Sequence, residues 1–436
     1  MQRRTVGIVV ASAVAALGMA GCSPAPGAPT EGGETVITCA SCQEGEDVFL
    51  QYNYDAVLRF NEEFAGKYRI ETISNQNAAA SDERLSYYQR LALADDLPDV
   101  FLLNQQEMTL LLESADLYDF APALSADQEW KPLYYEDSLA SLAIDGHQWG
   151  LPQVRDIVGI YANTDLLTKS GVTQFPTTWD ELETSCAAVK AAGEICLAMD
   201  GSWVTLLMWA NLIGTHPDGE DFLTARIGAN DWSNDPAVVA ATERLRSWHD
   251  QGFVNADSLS GDYANAATVY QTGHAAMIAN GPWMLPDIKS SASAEGLAEA
   301  TTYNASPGWT ADRRGIISIT GGAWVSGAKT PETQAAAAAF MKFLASPDEP
   351  FAQTLATGSF PPVQTEWSDE QQAQLDPIMV DAVADSADLP LHFPNVYANG
   401  APTFGSVWLN LWPAYVQGEL TTSEFLTRLT NDIAGR

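Results

Sequence analysis

The chain has 436 residues, 46% of them hydrophobic and 18% charged, a globular composition with room for roughly two or three domains of about 150 residues. Disorder, collagen-like repeats and a small disulfide-packed scaffold are excluded. Its 56 Asp and Glu against 21 Lys and Arg set a formal net charge of -35, so the positive surface that holds nucleic acid or anionic lipid headgroups is missing. Such a surface also keeps a protein soluble and monomeric whatever it binds, and a monomer is expected.

Arg3 and Arg4 precede an apolar run from Val6 to Leu17 without an acid, followed by the small residues Ala20 and Gly21. This predicts a secretory signal over residues 1–21; the run is too short to span a bilayer. Met19-Ala20-Gly21-Cys22 resembles a bacterial lipobox, which implies cleavage before Cys22 and acylation of its thiol. The flanks of the arginine pair fit a twin-arginine signal poorly, so the general secretory route is expected. Cleavage removes two arginines and no acid, taking the net charge from -35 to -37. Residues 22–34, rich in Pro, Gly, Ala and Ser, read as a flexible tether.

Past the tether, strand-like and helix-like patterns alternate: a strand at Thr35 to Thr38, a helix around Asp55 to Phe64, a strand at Tyr68 to Ile73, a helix at Asp82 to Ala94 and a strand at Asp99 to Leu103. Alternation of this kind predicts a mainly parallel α/β sheet. Val57, Phe60 and Phe64 share one helix face, which is a core stripe. Four helix starts are written plainly. Thr178 and Glu181 form a capping box, with Gly193 beyond the far end; Asp235-Pro236 and Thr330-Pro331 each place a cap before a first-turn proline; Thr421 and Glu424 form a second box.

Cys39, Cys42, Cys186 and Cys196 remain after Cys22, an even number in an oxidising compartment, with three possible connectivities. Cys39 with Cys42 and Cys186 with Cys196 is the favoured one. Two other readings of these residues stay open. Cys39-Ala-Ser-Cys42 follows a strand, as a redox pair would, and four cysteines can hold zinc, although Cys186 and Cys196 lack the short spacing of a zinc pair. The five histidines are scattered, so neither metal nor cofactor is expected.

No nucleophile elbow, dinucleotide fingerprint or phosphate loop occurs, and nothing in the sequence calls for an enzyme. Aromatic residues are plentiful: 13 Trp, 14 Tyr and 15 Phe. Several Trp sit beside Gly, Pro, Asn or Asp, where a flat ring can stack on the apolar face of a sugar while polar neighbours bond its hydroxyls.

Eight segments carry a family resemblance, in order over nearly the whole chain: Leu97 to Leu102 (LPDVFL), Asp145 to Pro152 (DGHQWGLP), Gly159 to Leu167 (GIYANTDLL), Thr178 to Leu182 (TWDEL), Gly273 to Trp283 (GHAAMIANGPW), Gly321 to Trp324 (GGAW), Phe340 to Pro347 (FMKFLASP) and Gly358 to Pro362 (GSFPP). With them the chain resembles the extracellular solute-binding proteins of family 1, the carbohydrate-capturing lipoproteins of bacterial ABC importers that include the maltose-binding proteins. The resemblance implies a two-lobed α/β fold of the periplasmic-binding-protein type II class, with a hinge crossed three times and the ligand held between the lobes. Crossings near Pro152 to Asp156, Ile316 to Gly322 and Ser359 to Val363 place residues 35–153 and 320–361 in lobe 1, and 154–319 and 362–436 in lobe 2.

The implied function is capture of a sugar or oligosaccharide by lobe closure and its delivery to the permease of an ABC importer. The protein would be held by its lipid at the outer face of the cell membrane. The alternatives are a non-sugar solute, such as a polyol or glycerophosphodiester, and a secreted glycoside hydrolase. Trp283 matches a family position that commonly stacks on a sugar, and Trp203 an aromatic of the cleft. Asp156 falls where the family often places a hydroxyl-binding carboxylate. Gln105 and Gln106 follow a strand at its carboxyl end, where ligands of open α/β sheets sit. Trp324, Tyr397 and Trp408 are further expected contacts, and Arg155 is the one obvious cation. Ala162 departs from the aromatic usual in the family before the Asn of its Tyr-Asn strand, and Cys39-Ala-Ser-Cys42 is not a family feature.

Overall fold

The computed structural model describes residues 33–74, 81–387, 389–401 and 403–435. The secretory leader, Cys22 and the tether up to residue 32 lie outside them. The first strand, β1 (Thr35–Cys39), leads to a helix at Val48–Glu63 whose N-cap, Asp47, accepts hydrogen bonds from the N–H groups of Phe49 and Leu50. This helix starts two turns before the expected Asp55. Residues 48–54 put apolar and aromatic side chains on several faces, which hides the helical period, and the aspartate cap sets the start. The capping boxes at Thr178 and Thr421 and the caps at Asp235 and Thr330 form as read.

The remaining strands are β2 (Tyr68–Thr72), β3 (Phe101–Leu103), β4 (Ala143–Ile144), β5 (His147–Gln148), β6 (Gly150–Asn163), β7 (Ile195–Leu197), β8 (Ala275–Asn280), β9 (Thr301–Asn304), β10 (Gly315–Val325) and β11 (Leu391–Pro394). Parallel pairing joins β1 to β2, β7 to β8 and β10 to β11. The expected mainly parallel sheet is nevertheless corrected. The long central strands β6 and β10 are antiparallel, as are β3 with β10 and both β8 and β9 with β6. The reason is topological: β6 leaves one lobe for the other and β10 returns, so the two connecting strands run in opposite directions.

Two lobes collect separate cores. One packs Ile37, Phe60, Val100, Trp130, Leu151, Trp324 and Phe340; the other packs Trp179, Trp209, Trp232, Trp248, Trp408, Trp412 and Phe425 around Val158 and Ile160 of β6. Much of the tryptophan supply is therefore core and not site. Among the described residues no helix is long and apolar enough to cross a membrane.

Disulfides join Cys39 to Cys42 and Cys186 to Cys196. The second ties the helix Trp179–Ala191 to β7 across the left-handed Gly193. Replacing both Cys186 and Cys196 by Ala frees a loop of ten residues' separation in the unfolded chain. A loss of about 2–3 kcal/mol is expected in denaturant unfolding monitored by tryptophan fluorescence.

Candidate functional site

The site begins as a gap in the sheet. β11 pairs with β10 only as far as Ser318, and β3 picks up again at Ala323. Residues 319–322 of β10 keep β6 on one side and have no strand on the other. Gly321 and Gly322 occupy this stretch. A Cβ at Gly321 would meet Val154 at 2.8 Å, and Gly322 has a φ of +64° with Gln153 Oε1 2.5 Å from a built Cβ. Only glycine fits there, and it leaves bare main chain facing the gap.

The cleft over this floor has two communicating halves, of ≈ 740 and ≈ 530 Å³, which share Trp203, Ile319, Gly321 and Gly322. Lobe 1 supplies Asn104, Gln105, Gln106, Asp137 and Ser141 to the larger half and Phe49 to the smaller; lobe 2 supplies Trp203 to both, Tyr397 to the larger, and Tyr263 and Trp283 to the smaller. Such volumes suit a small organic ligand.

Three rings form a row on lobe 2. Trp203 stacks on Tyr397 with centroids 5.5 Å apart and planes 26° apart, and lies 6.4 Å from Trp283 at 51°. Trp203 opens the helix Trp203–Gly214, and Asp200 holds that helix start by accepting from the N–H groups of residues 202 to 205 at 2.9–3.2 Å. Burial pushes the Asp200 carboxyl up, against the lowering effect of those four donors. Trp283 folds back over Gly281, where a Cβ would lie 2.2 Å from the indole. Burial drives the Tyr397 hydroxyl up to about 12, so it stays neutral.

Opposite the rings the lobe 1 side chains are mostly uncharged amides and hydroxyls. Gln105 Nε2 donates to the Ser141 carbonyl at 2.6 Å. Gln106 Nε2 reaches the Ala401 carbonyl on the other side at 3.5 Å. Arg155 is the one Lys or Arg among the described residues lining the cleft. Its guanidinium is paired with Asp137 at 2.9 Å and lies 4.5 Å above the Tyr135 ring.

Asp156 is only 2% exposed, and its two oxygens already accept hydrogen bonds from Ser359 Oγ (2.9 Å) and the Phe360 N–H (2.8 Å). Asp156 lines the smaller half of the cleft with Ser359, and its two hydrogen bonds also tie β6 to residues 359–360, beside Ile319 of β10. Arg155 N–H, donating to the Phe360 carbonyl at 2.9 Å, reinforces this clasp. Burial pushes the Asp156 carboxyl up to about 7, partly offset by its two donors.

Trp324 and Trp408 do not reach the cleft. Trp324, 3% exposed, packs edge-on against Phe340 in the lobe 1 core. Trp408, fully buried, stacks on Trp412 4.8 Å away, one helical turn along Phe404–Val416. For both, proximity in sequence to glycine or to the C-terminal segment was the only signal, and the apolar face of the element decided otherwise. Sequence reasoning missed Phe49, Tyr263, Asp200 and Ser359. Asp200 alone carried a usable sign, an acid three residues before a helix start.

Among the described residues no group of three or more His, Cys, Asp or Glu could hold a metal ion. A two-lobed α/β fold with an aromatic cleft, whose one cation is already paired with an acid, defines a ligand-capturing protein. Residues 55–380 match the family model described as bacterial extracellular solute-binding protein, and the chain belongs to that family.

A protein of Brucella abortus (strain 2308) described as a binding protein is 25% identical over 174 residues, which are 38% of this chain and 40% of that protein. The chain thus spans well under half the length of this curated relative. A chitin oligosaccharide binding protein superposes with a TM-score of 0.72 at 18% identity, covering 92% of this chain and 98% of that one. The GacH receptor of Streptomyces glaucescens, solved unliganded and with acarbose, superposes at 0.71 with 19% identity, covering 92% and 97%. At such identities these likenesses establish the fold.

Proposed function

We propose that the protein captures a neutral sugar or oligosaccharide in the interlobe cleft by lobe closure and hands it to the permease of an ABC importer, without chemical turnover. The observation that carries this reading is the row Tyr397–Trp203–Trp283 facing uncharged amides and hydroxyls across a glycine floor. Rings stack on the apolar faces of pyranoses, and amides serve hydroxyls as donor and acceptor together. Closure brings both walls onto the ligand, and so stabilises the closed state by the ligand's differential affinity for it. Family membership supports the importer as partner, and the leader with Cys22 supports a lipid anchor at the outer face of the cell membrane. Lobe boundaries at 153/154, 319/320 and 361/362 fit the clasped crossings.

The charge of the cleft argues against the alternatives. A glycerophosphodiester needs an uncommitted cation, and Arg155 is held by Asp137. A glycosidase needs two carboxylates free to act on the glycosidic bond; here Asp137 serves Arg155 and Asp156 serves the hinge.

A thermal-shift screen of the mature domain tests the proposal. A neutral saccharide at 100 times its Kd raises stability by about 2.7 kcal/mol. The gain should change little between low and high salt, because no ion pair to the ligand is formed. Sugar phosphates and uronates should give no shift. A shift with these anions alone, or release of a hydrolysed product, would overturn the reading.

A further inference from the structure

Cys39-Ala-Ser-Cys42 is the sequence feature that capture of a ligand leaves unexplained. Its bridge spans a separation of three residues, against ten for Cys186–Cys196, so it constrains the unfolded chain less and its main effect is local. Both cysteines are fully buried, with Ala40 and Ser41 between them, which puts the sulfurs out of reach of a partner's thiol. Cys39 bridges in parallel to Val100, just before β3, so β1 and β3 point their carboxyl ends the same way, toward the cleft residues Asn104, Gln105 and Gln106. The bridged turn is fastened to both neighbouring segments. Ser41 Oγ accepts from the Leu102 N–H at 3.1 Å, and the Ser41 carbonyl accepts from Asn53 Nδ2 at 2.9 Å. Leu102 lies two residues before Asn104, whose side chain caps the helix Gln105–Leu111. Asn53, itself buried, lies one turn after Phe49 in the helix Val48–Glu63. One serine therefore meets both elements that carry Phe49 and Asn104 to Gln106 into the cleft. With Cys39 fixed in β1 and Cys42 tied back to it, that serine has little freedom to move.

We propose that the Cys39–Cys42 bridge positions the lobe 1 wall of the cleft: by locking Ser41 against Leu102 and Asn53, it holds Phe49 and Asn104 to Gln106 in the arrangement that the ligand meets. Cys39, Ser41 and Cys42 do not line the cleft; they are positioning residues and act through those that do. The inference rests on the saccharide reading of that cleft. A wall ordered before binding spares the complex the cost of ordering it, so the bridge contributes affinity without a contact of its own.

The test joins amide hydrogen exchange to titration calorimetry with α-1,4-linked gluco- and β-1,4-linked N-acetylglucosamine-oligosaccharides, on the mature chain, on Cys39→Ala/Cys42→Ala and on Ser41→Ala. Without ligand, the amides of residues 47–53 and 100–107 should exchange severalfold faster in the double variant, and those of 100–107 in Ser41→Ala, while β8 in lobe 2 keeps its protection. With saccharide bound, protection in these segments should return. The affinity should be weaker in both variants by about two- to tenfold, the cost of ordering one or two side chains on binding. Ser41→Ala keeps the bridge, and it decides should the double variant fail to fold. Unchanged affinity, or unchanged exchange over residues 100–107, overturns the positioning role and leaves the cleft standing. Failure of every saccharide to bind the unaltered chain overturns the saccharide reading, and the exchange comparison then decides by itself whether the bridge orders the wall.

Discussion

Trp203→Ala lowers saccharide affinity by about 100-fold, close to 3 kcal/mol, the size of effect typical of a central aromatic contact. The expectation follows from position: Trp203 is the aromatic side chain common to both halves of the cleft, and it is packed on Tyr397 on one side and beside Trp283 on the other. Removing it takes away the middle of the stacking surface and leaves Tyr397 without its partner. Trp283→Ala, at the end of the row, should cost less, about tenfold. Titration calorimetry on variants whose thermal melts show an intact fold measures both. An undiminished affinity for Trp203→Ala would mean that the ligand does not lie on this row.

The second large effect belongs to the hinge. Asp156→Ala leaves the Ser359 hydroxyl and the Phe360 N–H without their acceptors in a buried site, and a loss of about 2–4 kcal/mol in chemical unfolding is expected. Asp156→Asn, which keeps the shape and one acceptor oxygen, should lose less.

The pH dependence has a definite sign. The Asp156 carboxyl is raised by burial to about 7 in the folded protein, against about 3.9 in an unfolded chain. Between these values the folded state holds a proton that the unfolded state has released. Stability therefore falls as pH rises through that window, and the penalty is complete above about 7. Its upper bound is about 4 kcal/mol. Denaturant midpoints measured at pH 5 and pH 8 should differ less in Asp156→Asn than in the unaltered chain. An identical pH slope in both would show that Asp156 is ionised in the clasp at neutral pH.

Short-range chemistry was legible residue by residue. The caps at Thr178, Asp235, Thr330 and Thr421 each depend on one side chain and backbone donors two or three residues away, so the sequence alone places them. The disulfides that form are the connectivity the sequence favoured, whereas the need for glycine at 321–322 is set by Val154 and Gln153, far away in the chain. Charge and composition likewise identified a poor partner for polyanions without any coordinates.

What the tertiary structure decided is which of several similar residues face the ligand. Trp203 and Trp408 are both tryptophans of helices in the same lobe. One stands at a helix start turned toward the sheet gap, and the other lies on the apolar face of Phe404–Val416, buried against Phe425. Asp156 looked like a free acid because Ser359 and Phe360 lie more than 200 residues away in the chain. Sheet direction was hidden for the same reason: alternation of strands and helices speaks of neighbours in sequence. The antiparallel pairing of β6 with β10 depends on where the chain crosses between lobes. Local hydrogen-bonding preferences act over a few residues and can be read there, whereas burial and strand pairing are set by contacts between distant segments and exist only once the lobes have folded.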